Sequence, residues 1–117
     1  MVEIHRIRES IERFGERFLS RVFTPGEIAY CQRKKNSAES YAARFAAKEA
    51  AAKALGTGIQ HGVTWKELEV RRERGSRPHL HLSGRAKEIA ERLGVRHISL
   101  SLTHNTTTAM ATVHFEN

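Results

Sequence analysis

The chain has 117 residues, with 20 Lys and Arg against 13 Asp and Glu and a formal net charge of +7. That length suits one compact domain spanning residues 1–117, and 39% hydrophobic residues supply a core that a disordered chain lacks. No run of about 18 apolar residues occurs, which excludes a membrane-spanning helix; MVEIHRIRES has no apolar stretch of the signal-peptide kind; and one cysteine, Cys31, allows no internal disulfide and fits a reducing cytoplasm.

Ile4, Ile7, Ile11, Phe14 and Phe18 recur at three and four residues, which predicts one amphipathic helix through that segment. Arg13, Arg17 and Arg21 follow at four-residue steps and would share a face of it. Thr24-Pro25-Gly26-Glu27 reads as a helix start, with Thr as N-cap, Pro at N1 and Glu at N3 closing a capping box. That helix should run to about Arg33, and residues 34–39 should form a loop. An alanine-rich helix is predicted over about residues 40–55, with Gly56 as its C-cap.

The second half reads mainly as strands. VTWKELEV has strand character, although its alternation slips by one near Glu67, which allows a bulge. HLHLS is a strand with Leu80 and Leu82 on one face. Ala86, Ile89, Ala90 and Leu93 predict a short helix over residues 85–93, ended by Gly94. HISLSLT and TTAMATVHF alternate Ile98, Leu100, Leu102 and Ala109, Ala111, Val113, Phe115, with a turn at residues 104–106. Helices first, then strands with one helix among them, predict an α+β fold with helices packed on a small antiparallel sheet.

The positive charge favours an acidic partner: a phosphorylated ligand, an acidic protein, nucleic acid or an anionic surface. Against nucleic acid stand the dispersed charge and the absence of a recognition-helix motif or an aromatic stacking platform. Glu49 and Lys53 stand at i and i+4, as do Arg44 and Lys48, and by spacing alone the Glu49–Lys53 pair is an ordinary surface salt bridge on a solvated helix face. The alanines around them let other backbone approach, and the helix runs into Gly56-Thr57-Gly58, whose amides could receive an anion. His104, beside Asn105 and Thr106, could touch a phosphate or a sugar. His79 and His81 alternate on a strand but have no third metal ligand in view. There is no P-loop, GxGxxG, zinc spacing or GxSxG in the chain.

RFAAKEAAAKALGTGI, residues 44–59, strongly resembles the signature of the holo-acyl-carrier-protein synthases, the small type of 4'-phosphopantetheinyl transferase. VEIHRI, RVFTPGEIAYC, GVTWKELEV, RPHLHLSG and HISLSLTHN…AMATV follow in that family's order and spacing, so the resemblance covers nearly the whole chain. It implies transfer of the phosphopantetheine arm of coenzyme A to a serine of apo-acyl carrier protein, in support of fatty acid biosynthesis, with Mg2+ required. It also implies a homotrimer whose sites lie between subunits. No nucleic acid or membrane partner is implied.

Matched residue by residue, the resemblance makes Glu49 a metal ligand and makes Lys53 a contact to coenzyme A phosphate that assists departure of the leaving group. It assigns Arg44, Lys48, Lys53, Gly56, Thr57, Gly58 and His104 to coenzyme A. Arg6, Arg13, Arg17 and Arg21 fall on or near the helix expected to receive the acidic carrier protein. The family's G-x-D metal motif would fall just before Met1, so Glu49 is the metal-binding carboxylate expected within these residues.

Overall fold

The computed structural model describes residues 1–73 and 75–117. A two-residue strand β1 (Val2–Glu3) leads directly into α1 (Ile4–Phe14) and α2 (Glu16–Val22). Helices α3 (Pro25–Gln32) and α4 (Ser37–Leu55) complete the helical half. A 3-10 turn at Trp65–Glu67 then opens β2 (Leu68–Arg71), followed by β3 (His79–Leu82), α5 (Gly84–Arg92), β4 (His97–His104) and β5 (Thr108–Glu116).

The α+β antiparallel expectation holds, but the strands form two sheets. One has three strands in the order β1-β5-β4 and the other pairs β2 with β3. The β4–β5 register sets Ile98 opposite Phe115, Leu100 opposite Val113 and Leu102 opposite Ala111. That puts Ile98, Leu100, Leu102, Ala109, Ala111, Val113 and Phe115 on one face, as a period of two requires, and leaves Met110 exposed on the other.

Helix α4 lies at the centre. Ala42, Ala43 and Ala46 join Val2, Ile4, Ile7, Phe23, Cys31 and Tyr41 in one buried cluster. Ala47, Ala51, Ala52 and Leu55 join Leu68, Val70, Leu80, Leu82, Ala86 and Ala90 in another. A helix buried on several sides needs small residues wherever a neighbour comes close, and alanine also has the best helix propensity.

Three local features differ from the sequence reading. The first amphipathic segment is broken at Gly15, which takes φ +54 and donates its amide to Ile11 O. The hydrophobic spacing continues across that break, so periodicity reads one helix where a glycine in left-handed backbone makes two. The strand expected over VTWKELEV begins only at Leu68, and the slip near Glu67 is a 3-10 turn with a capping box between Thr64 and Glu67. Helix α4 starts at Ser37, three residues early, and shortens the expected loop. The capping box at Thr24 forms as read: Thr24 Oγ1 accepts from Glu27 N, and Thr24 N donates to a Glu27 oxygen.

Glu67 also holds the start of α5. Its Oε2 accepts from Arg85 N at 2.7 Å, and a Cβ on Gly84 would collide with that same carboxylate. Gly84 has φ +55, whereas Gly75 has φ +77 with nothing near its missing Cβ. Gly84→Ala should therefore lose both the backbone preference and the carboxylate cap, about 2–3 kcal/mol together, against about 1 kcal/mol for Gly75→Ala. Urea unfolding of the two variants checks the difference.

Burial pushes the Cys31 thiol up to about 11 and the Tyr41 hydroxyl up to about 12. Both groups stay neutral in the folded state while the unfolded chain ionises, so the stability they support is complete below pH 9 and falls as pH rises through 9 to 12. Stability measured at pH 8 and pH 10.5 should differ by about 1–2 kcal/mol, the lower value at the higher pH. Cys31→Ala should shallow that dependence.

Candidate functional site

The site is built on α4, and its residues separate by face. Lys48 points inward. Its Nζ donates to Glu27 Oε1 at 2.7 Å, to Trp65 O at 3.0 Å and to Leu68 O at 3.0 Å. All three ammonium protons are therefore taken, and both side chains of the Lys48–Glu27 pair are fully buried. Glu27 is itself saturated: Oε1 also accepts from Thr24 N and Oε2 from Val70 N. Burial lowers the Lys48 ammonium below the ordinary lysine range, although Glu27 acts to hold it up.

This corrects the expectation for Lys48. It is enclosed by protein acceptors and offers no proton to a ligand. A sequence signal for this exists: four residues away on either side stand Arg44 and Ala52, so Lys48 has no acidic helix neighbour, unlike a surface lysine in an i,i+4 pair.

Arg44 lies one turn earlier. Its guanidinium carbon sits 3.9 Å from the centre of the Tyr30 ring. The residue is buried, and its Nε has no hydrogen-bond partner among the described residues. Arg44 and Tyr30 line a cleft of about 360 Å3 in which Arg33, Arg71, Arg72 and His79 outnumber the carboxylates of Glu69 and Glu73. Burial pushes the Tyr30 hydroxyl up, but the charges of Lys34 and Arg44 outweigh it and bring the group below the ordinary tyrosine range. Such a cleft is chemically suited to an anion. Tyr30, Arg33 and Lys34 did not stand out in the sequence as site residues.

Glu49 faces the other way. It is half-buried on a cleft of about 380 Å3 that also carries Phe45, Phe18, Arg6 and Glu3. Lys53 is exposed one turn further on. Among the described residues no ion pair joins Glu49 to Lys53, so both remain available to a ligand. Glu3 shares the Glu49 cleft but lies 3.6 Å from Arg6 Nε and 3.5 Å from His5 Nδ1. The described residues hold no cluster of three His, Cys, Asp or Glu side chains that would enclose a metal. A single open carboxylate on a cleft fits Mg2+, which keeps several waters and takes the rest of its shell from one or two carboxylates and substrate phosphates.

The loop after α4 is tighter than the sequence implied. Gly56 N donates to Lys53 O and Gly58 N to Ala52 O, so these two amides cap the helix and are not free for an anion. Gly56 and Gly58 take φ +82 and +62, and Thr57 Oγ1 donates to Gly58 O. His104 is not near them. It ends β4, with Nδ1 3.6 Å from Glu39 Oε1 in the first turn of α4. From Glu39 to Gly56 the helix rises about 25 Å. One chain therefore does not bring His104 together with Lys53 and the Gly56–Gly58 loop.

The arginine stripe is divided at Gly15. Arg6 and Arg13 flank a cleft along α1, while Arg17, Phe18 and Arg21 of α2 line another with Phe14 at the end of α1. Phe14 is 50% exposed and borders both. All four arginines are exposed.

A family model described as the 4'-phosphopantetheinyl transferase superfamily matches residues 1–113. The chain belongs to that superfamily. It is 54% identical to a holo-[acyl-carrier-protein] synthase of Solibacter usitatus, over all of this chain and 94% of the relative. It is 53% identical to the corresponding protein of Koribacter versatilis with the same coverage. The crystal structure of the Neisseria meningitidis holo-[acyl-carrier-protein] synthase matches with a TM-score of 0.87 at 32% identity, over 99% of this chain and 93% of that one. The Helicobacter pylori protein in complex with coenzyme A matches with a TM-score of 0.85 at 32% identity, over 98% and 95%. Superfamily membership thus rests on both sequence and fold, and the helix that carries the signature is the one that borders both clefts.

The contrast between the two lysines of α4 is directly measurable. Lys48→Met alone leaves Glu27 buried and unpaired and should cost about 3–5 kcal/mol. Lys53→Ala, at an exposed position, should stay within about 0.5 kcal/mol of the parent. Denaturant titration of both variants tests the pair of expectations.

Proposed function

We propose that this protein is a holo-[acyl-carrier-protein] synthase. It transfers the 4'-phosphopantetheine arm of coenzyme A to a serine of apo-acyl carrier protein and releases adenosine 3',5'-bisphosphate. The observation that carries the reading is the full-length likeness to holo-[acyl-carrier-protein] synthases, joined to a signature helix that leaves Glu49 and Lys53 open beside a cleft. Residues 1–117 act as a single transferase domain, in the cytoplasm and in service of fatty acid biosynthesis.

The roles follow from the chemistry. The attacked phosphorus belongs to a charged diphosphate, so positioning and charge neutralisation carry most of the catalysis. Glu49 is the carboxylate that holds Mg2+, which supplies charge neutralisation at the phosphate oxygens when bound. Lys53, exposed and without an ion-pair partner among the described residues, contacts a coenzyme A phosphate and offsets the charge that gathers on the leaving group. The buried Arg44 beside Tyr30 supplies a fixed positive charge for coenzyme A. Gly56, Thr57 and Gly58 give the ligand a close, side-chain-poor wall.

His104 also serves coenzyme A, from a second subunit. A homotrimer with shared sites is supported by its position, one helix length away from the loop it would have to join. Arg6, Arg13, Arg17 and Arg21, with Phe14 and Phe18 between them, receive the acidic carrier protein. Exposed basic side chains around an apolar centre suit a partner that must be steered in and then released.

Incubation with coenzyme A, Mg2+ and apo-acyl carrier protein should add the mass of one phosphopantetheine group to the carrier, read by intact-protein mass spectrometry. No mass gain would overturn the reading. Glu49→Gln should slow transfer by roughly 10²- to 10³-fold, the scale of losing one charge-stabilising group at a transition state. An unchanged rate would remove Glu49 from the site while leaving the activity in place.

A further inference from the structure

Lys48 precedes Glu49 in the signature but never reaches the cleft. Its buried contacts have a different consequence. A helix lined with alanine presents low, similar surfaces on several sides: Ala42, Ala43, Ala46, Ala47, Ala51 and Ala52 are all buried. Such a helix has few side-chain knobs to fix its rotation about its own axis. The Lys48 ammonium fixes that rotation, because its three acceptors come from three different places: Glu27 on α3, Trp65 in the 3-10 turn and Leu68 at the start of β2. Buried polar pairs are best attested in this role, setting register where apolar packing leaves it loose.

The rotation matters because Phe45, Glu49 and Lys53 follow one another at four-residue steps and so share a face of α4. Phe45 also stacks on Trp65, with ring centres 4.9 Å apart. Trp65 therefore touches α4 twice, through its carbonyl to Lys48 and through its ring to Phe45, the cleft neighbour of Glu49. We propose that the Lys48–Glu27 pair is a positioning device for the transfer reaction: it sets the rotation of α4 and with it the placement of Glu49 and Lys53, without touching coenzyme A. This rests on the reading of Glu49 and Lys53 given above. Misplacement of reacting groups by about 1 Å can cost on the order of 10²-fold in rate, so a small rotation is enough to be measured.

The test is the double variant Lys48→Met/Glu27→Gln, which removes both charges together and avoids an unpaired buried ion. It is assayed well below its melting temperature, with far-UV circular dichroism confirming the fold. The expected result is a kcat reduced at least 10-fold, a KM for coenzyme A within about threefold of the parent, and an undiminished coenzyme A-induced rise in melting temperature. A folded double variant with kcat within twofold of the parent would show that the pair only stabilises, and the proposal fails. A raised KM with unchanged kcat, or loss of the coenzyme A-induced shift, would make Lys48 a ligand contact and also overturn it.

If the double variant melts below the assay temperature, Glu27→Asp decides. It keeps both charges but draws the carboxylate back by one methylene, and it should lower kcat severalfold at unchanged KM; a parental kcat overturns the proposal. Parent protein that transfers nothing overturns the functional reading as well, and that outcome is seen before any variant is made.

Discussion

The rest of the molecule is arranged around one ion pair placed where ions are costly. Lys48 and Glu27 are both fully buried, and removing two charges from water costs several kcal/mol each before any attraction is counted. The pair persists because every polar atom in it is used. Three acceptors surround the ammonium and three donors surround the carboxylate. Complete satisfaction turns a liability into a rivet between α3, α4, the 3-10 turn and β2. Glu27 serves two purposes at once, since the carboxylate that pairs with Lys48 also closes the capping box of α3.

The same helix then serves two chemically different clefts. On one side Arg44 lies against Tyr30 in a basic pocket; on the other Glu49 opens between Phe45 and the first helix. Alanine makes this arrangement feasible. Larger residues between these polar positions would hold the neighbouring elements away, and the pockets on either flank would open into solvent. The division also explains how one short motif can contain two lysines with unrelated duties, one wholly enclosed and one exposed.

Much of the fold was legible because its signals are local. The alternation of residues 97–116 gave two paired strands, and Thr24-Pro25-Gly26-Glu27 gave a helix start that forms as read. The signature helix could be placed with Glu49 and Lys53 on a common face. Gly15 was not legible as a break, since Ile11, Phe14 and Phe18 keep helical spacing across it. The buried role of Lys48 depends on Glu27, which lies 21 residues away on another element, and no spacing rule links the two. Nor does sequence order show that His104 meets the start of α4 while the glycine loop meets its end. These are consequences of packing, which a one-dimensional pattern does not contain.

Trp65 has a further consequence. It is the chain's one tryptophan, and it sits at the junction just described, with its ring on Phe45 and its carbonyl on Lys48. The protein thus carries its own optical reporter at the junction between the riveted face of α4 and the open one. Its emission spectrum senses the polarity and stacking at that single junction, so a turn of the helix by a few degrees has a spectroscopic signature without any added label.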